Sequence, residues 1–208
     1  MSALARLLRC SRAASAAEFA LVVPLLLLFI FGIIDVGRFM WEVNQAEKAT
    51  QVGARMAVVT TPVSQGLIEA DFAPTITAGE LIPASALGQV KCTSASCACT
   101  GTCPSMSTTV NKDPFDAIVA RMAQIKPGIT AANVEISYRG SGFGYAGTAA
   151  TGPGGGSVAE TMEISPLVTV ALSGVQFKPI SSLLFATINL PSFTTTMTAE
   201  DSAGTYSN

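Results

Sequence analysis

The chain has 208 residues, with 14 acidic and 12 basic side chains and a formal net charge of −2. With no basic face to neutralise phosphates, nucleic acid is excluded as a principal partner, and the absence of histidine removes Ser-His-Asp and Cys-His catalysis, His-ligated zinc and any imidazole base. The length suits one modest domain plus an appendage, and 49% apolar against 12% charged residues points to a membrane segment.

The first seventeen residues carry Arg6, Arg9 and Arg12 and no acid. Phe19 to Ile34 then runs for sixteen residues without a charge. At ~1.5 Å per residue this covers roughly 24 Å, and extension back through Glu18 to Ala13 makes it long enough for a ~30 Å hydrocarbon core. Four consecutive leucines among Val, Ile and Phe leave no polar face for water, so the segment reads as a spanning helix, centred on about 17–36. Pro24 lies inside it and should kink it modestly. The basic leader places the amino terminus in the cytoplasm and the remainder outside. A cleaved signal peptide would need small residues after the apolar run. There the chain has Asp35-Val-Gly-Arg-Phe-Met-Trp41, while Ala13 to Ala17 precede the run. The helix is therefore expected to stay as an anchor. Glu18, at the cytoplasmic border, is either an interfacial carboxylate among head groups or the partner of a cationic amino terminus.

Beyond Ile34 the helical pattern continues: Val36, Phe39, Met40, Val43, Ala46, Thr50, Gly53, Ala54 and Ala57 recur at spacings of three and four. Asp35, Arg38 and Glu42 are spaced to pair along one exposed stripe. Thr61 precedes Pro62, which ends the helix near Thr60. The whole helix, residues 14–60, outruns the bilayer about twofold. Its apolar stripe must meet its own domain or a neighbour's helix, while the membrane half is suited to lateral packing. Gly32 and Gly37 do not match the four-residue dimer spacing.

Residues 61–112 are rich in Pro, Ser, Thr and Gly and read as loop. Within them, segment 92–103 holds Cys92, Cys97, Cys99 and Cys103. Zinc sites use separated pairs, and an exported chain meets an oxidising compartment, so disulfides are expected. Three pairings are possible, of which the one joining Cys97 to Cys99 is disfavoured as strained. Cys10, in the leader, should remain a thiol. Asp113-Pro-Phe-Asp116 opens a second helix, capped by Asp113, with Phe115, Ile118, Val119, Met122 and Ile125 on one face and Lys126-Pro-Gly128 as its end. Strand patterns follow at Val134–Tyr138, Met162–Leu172 and Phe193–Ala199. The long non-helical connections favour antiparallel pairing. The Gly-rich loop 140–157 has no Gly-Lys-Ser/Thr and is no phosphate loop, though Phe143 and Tyr145 offer a contact surface at its base. The expected fold is α+β: a leader (1–13), the long helix, and an exported domain (61–208) with a helix on a small antiparallel sheet.

A short Arg-rich leader, small residues, Glu18-Phe19 and a long apolar helix look like a type IV prepilin-class protein. Ala17-Glu-Phe-Ala-Leu-Val-Val-Pro-Leu-Leu26, Gly32-Ile-Ile-Asp-Val-Gly-Arg38 and Gly53-Ala-Arg55 resemble the TadE-like family, minor pilin-like proteins of tight-adherence (Flp) pilus assembly. The match is tightest over residues 14–59. The resemblance implies a prepilin-peptidase cut between Ala13 and Ala14, which would make Glu18 the fifth mature residue. The family usually has Gly before the cut, where this chain has Ala13. It also implies other pilin-like subunits, the prepilin peptidase and the pilus assembly platform as partners, in the bacterial inner membrane. The family's cysteines in this region suggest a stapled hairpin. No cofactor is implied, and Asp113 and Asp116 read as helix-start residues, so a non-enzymatic role is expected. The alternative is an unprocessed, membrane-anchored extracytoplasmic binding module.

Overall fold

The computed structural model describes residues 11–147, 162–183 and 187–199. Arg6, Arg9 and Cys10 of the leader, residues 148–157 of the Gly-rich loop and the acidic pair Glu200-Asp201 lie outside the described residues. The fold is α+β. Helix α1 spans Ser11–Val59 and continues unbroken through Pro24. It therefore begins inside the stretch read as leader and includes Ala13 and Ala14. The chain forms two compact units: one reaches to Glu42 and takes in Gln176–Asn189, and the other holds Val43–Val175 with the segment from Leu190 on.

In the second unit, a five-stranded antiparallel sheet has the order β2-β1-β3-β4-β7. Its strands are β1 (Gln89–Cys92), β2 (Cys97–Thr100), β3 (Val134–Arg139), β4 (Leu167–Leu172) and β7 (Phe193–Thr198). Alternation in β3 and β4 puts Val134, Ile136 and Tyr138 opposite Leu172, Val170 and Val168, and all six are buried. The register extends this face to Val90 and Cys92 on β1. The opposite face is polar, with Lys91 paired to Glu135 at 3.2 Å and the Thr169 and Thr196 hydroxyls 2.7 Å apart.

Two helical segments add to this core, together with Val63, Leu67, Phe72 and Ile82 from the stretch between them. Helix α3 (Lys112–Ile125) buries Phe115, Ile118 and Met122. Residues 43–59 of α1 bury Ala46, Ala49, Thr50, Gly53, Ala54 and Ala57. Gly53 has no room for a side chain, since a Cβ there would lie 2.7 Å from Met122 Sδ and 3.5 Å from Val170 Cγ1. The stripe left open between two covers is thus covered by the chain's own α3 and sheet. Thr50 is buried with its hydroxyl donating to the Ala46 carbonyl at 2.9 Å. Tyr138 is buried beneath these elements, its hydroxyl accepting from the Val63 amide at 2.9 Å.

Several expectations need correction. The stretch 61–112 is not all loop: it contains the short helix α2 (Gln65–Ile68) and the β1–β2 hairpin, whose strands are too short for a periodic signal. The expected strand from Met162 begins only at Leu167, after Pro166, which lacks the N–H a ladder needs. Before it, Glu163 is buried and its two carboxylate oxygens accept from the amides of Phe72 and Gly147. Helix α3 is entered through Asn111, with Lys112 and Asp113 in its first turn, so Asp113 is not its cap. A sixth and a seventh strand segment, β5 (Gln176–Phe177) and β6 (Ile188–Asn189), pair in a separate two-stranded sheet that the sequence pattern did not reveal. Asp35 does not lie on an exposed stripe but is buried.

Candidate functional site

The first unit joins the amino-terminal stretch of α1 to the short β5–β6 finger. Helix propensity comes from the leucines and alanines, but the outward face is wholly apolar. Phe19, Leu21, Leu25 and Phe29 are 65–79% exposed, and the apolar run as a whole is almost unburied. Each large side chain left in water forgoes about 1.5–3 kcal/mol of burial, and monomers rarely expose apolar patches beyond a few hundred Å². This surface requires lipid or other helices around it. A single amino-terminal apolar helix of this kind is compatible with anchoring in a membrane.

Glu18 is exposed and forms no hydrogen bond or ion pair with any described residue. It is one helical residue ahead of Phe19, at the end of the apolar surface, and so is free to meet a cation from outside its own described chain. Gly32 and Gly37 have open space where a Cβ would stand, so neither is needed for packing within the unit.

At the other end of the apolar run the structure shows a residue whose role the sequence did not disclose. The Asp35 carboxylate accepts hydrogen bonds from the amides of Ile180 and Ser181 at 2.7 and 2.9 Å and from the Ser181 hydroxyl at 2.6 Å. Arg38 Nη1 approaches the same carboxylate at 3.4 Å. The two amides open a 3-10 turn, Ile180–Leu183, whose first N–H groups have no partner within the turn. Asp35 thus caps the finger from a different element. Phe39 meets Phe177 edge to face at 5.5 Å, and the Arg38 guanidinium stands 5.5 Å from the centre of the Phe177 ring. A mostly apolar groove lies between helix and finger, lined by Gly32, Val36, Phe39, Phe177, Pro179 and Ile188. The signal available beforehand was an acid directly after sixteen uncharged residues; its partner lies 145 positions away, out of reach of any local pattern.

In the second unit the four cysteines pair as Cys92–Cys97 and Cys99–Cys103. Of the three pairings open from sequence, this is one of the two that leave Cys97 and Cys99 unjoined. Cys92 and Cys97 face each other across the hairpin and are buried, whereas Cys103 is exposed. Phe143 and Tyr145 are exposed, at 65% and 54%.

Residues 13–55 match the family model described as TadE-like protein. This stretch of the chain is TadE-like. No curated protein and no solved structure matches the chain. The TadE-like segment takes in Glu18, the entire apolar run, Asp35 and the close helix contact at Gly53, and it suggests a role in Tad pilus assembly. Association with the Tad pilus machinery in general follows from the same match.

Proposed function

We propose that this chain is a non-enzymatic, pilin-like membrane protein acting in assembly or export of tight-adherence (Flp, type IVb-like) pili. One observation carries the reading: a TadE-like helix leaves its apolar residues 19–34 almost wholly uncovered. Such a surface is suited to enter lipid and then pack among the helices of other pilin-like subunits. The amino terminus lies in the cytoplasm and the globular part in the periplasm, following the Arg6, Arg9 and Arg12 leader. The prepilin peptidase cuts between Ala13 and Ala14, and Glu18 then neutralises the new amino terminus of its own or a neighbouring subunit. The pilus assembly platform receives the processed protein.

Replacing Glu18 with Ala is expected to leave expression and membrane insertion intact and to abolish fibre formation; normal piliation in that strain defeats the mechanism. Ala13, standing where the family usually has Gly, favours a second reading, an unprocessed anchored binding module. Mass spectrometry of the amino terminus decides between them. A chain starting at Ala14 supports the pilin-like reading, and one retaining Arg6 to Arg12 supports the module.

A further inference from the structure

We propose that the finger formed by residues 176–181 and 187–189 is a second membrane contact, a wedge lying in the head-group layer beside the spanning helix. The inference rests on the anchoring of α1 in a bilayer proposed above.

The depth of the finger follows from the clamp. Asp35 is the first residue after the uncharged run that ends at Ile34, so its Cα lies ~1.5 Å along the axis from the last hydrocarbon-facing residue. Its carboxylate holds the Ile180 and Ser181 amides at 2.7 and 2.9 Å, which fixes the turn at that level. The layer there, between hydrocarbon and water, is roughly 5–8 Å thick on each side of a bilayer. A finger clamped at this height cannot avoid it.

The side chains suit that layer. Ile188 lines the apolar groove and is still 48% exposed, and Ile180, next to the groove residues Pro179 and Ser181 in sequence, is 54% exposed. On the helix beside them, Val36 and Met40 are exposed as well, and Trp41 is 61% exposed. Trp41 is about 10 Å beyond Ile34 along the axis, at the outer, aqueous margin of that layer. Lys178 is exposed on the finger and Arg38 is partly exposed on the helix. Arg38 is engaged by Asp35 and the Phe177 ring, so Lys178 is the finger's cation suited to a lipid phosphate. A protein groove would explain the apolar residues but not their level with the end of the span. The occupant is therefore lipid, and Asp35 is the positioning residue that sets the finger's depth.

The test uses the full chain in vesicles of phosphatidylcholine and phosphatidylglycerol with brominated acyl chains. Trp41→Phe removes the single native tryptophan, and Ile180→Trp or Phe29→Trp then reports one site at a time. Bromines near the head groups should remove most of the emission of the Ile180→Trp protein, and bromines at the bilayer centre should do so for Phe29→Trp. Quenching at Phe29→Trp with none at Ile180→Trp overturns the wedge while the anchor stands. A blue-shifted but unquenched Ile180→Trp signal also overturns it and assigns the finger to a second copy. Quenching at neither site removes the anchor and the wedge together. Adding Asp35→Ala should cut the quenching at Ile180→Trp and leave Phe29→Trp unchanged; undiminished quenching refutes the positioning role.

Discussion

The contact between Gly53 and Met122 gives a sign-reversing prediction. In a helix interior Gly→Ala ordinarily gains about 1 kcal/mol, because alanine orders the backbone at less entropic expense. At Gly53 the new methyl would stand 2.7 Å from Met122 Sδ and 2.8 Å from its Cγ, and Met122 is fully buried. Overpacking of this kind costs ~1–3 kcal/mol, so Gly53→Ala should lose about 1 kcal/mol net. Met122→Ala alone should cost ~3 kcal/mol through the cavity it leaves. In that background the methyl at position 53 has space, the steric term vanishes, and Gly53→Ala should stabilise by about 1 kcal/mol. The coupling is then ~2 kcal/mol, within the range of directly touching residues. Urea unfolding of the full chain in mild detergent, followed by near-ultraviolet circular dichroism, measures all four corners of the cycle. If Gly53→Ala has the same effect with and without Met122, the two residues do not touch. In that case residues 43–59 of α1 take their cover from another chain.

Tyr138→Phe removes the acceptor of the buried Val63 amide and should cost about 1–3 kcal/mol in the same assay; an unchanged midpoint would mean the amide has another partner. Burial also pushes the Tyr138 phenol above its ordinary value, against the weaker opposing effect of the Val63 hydrogen bond. The unfolded chain therefore releases this proton first, so stability is complete below pH ~10 and falls as pH rises beyond it. Alkaline titration of tyrosinate absorbance should show Tyr138 ionising together with loss of tertiary signal, and early ionisation in folded protein would contradict its burial. Stepwise reduction with alkylation and mass mapping should label Cys99 and Cys103 before Cys92 and Cys97, because the first pair is more accessible and the second is buried. Replacing Cys92 and Cys97 together by Ser should cost about 2 kcal/mol, in line with a short closed loop.

What local pattern carries was legible from residues alone. The helix over α1 and the strands at 134–138 and 193–199 followed from their periods. The α3 stripe of Phe115, Ile118 and Met122 is the buried one, although its entry lies at Asn111. The β1–β2 hairpin was implied only by the family resemblance at its cysteines, because four-residue strands do not establish an alternation. The finger was missed for a related reason. Its strands are two residues each, and its turn is held by Asp35 rather than by its own sequence.

The order of charges and greasy side chains by itself determined that one long helix exists and that its first part is uniformly apolar, because these properties depend on neighbours three and four positions away. Tertiary structure alone decided that Gly53 must be small, that Glu163 ties two loops together, that Cys92 takes Cys97 as its partner, and that Asp35 caps a turn 145 residues distant. Each depends on which remote groups the folded backbone brings within a few ångströms, and no local period encodes that distance.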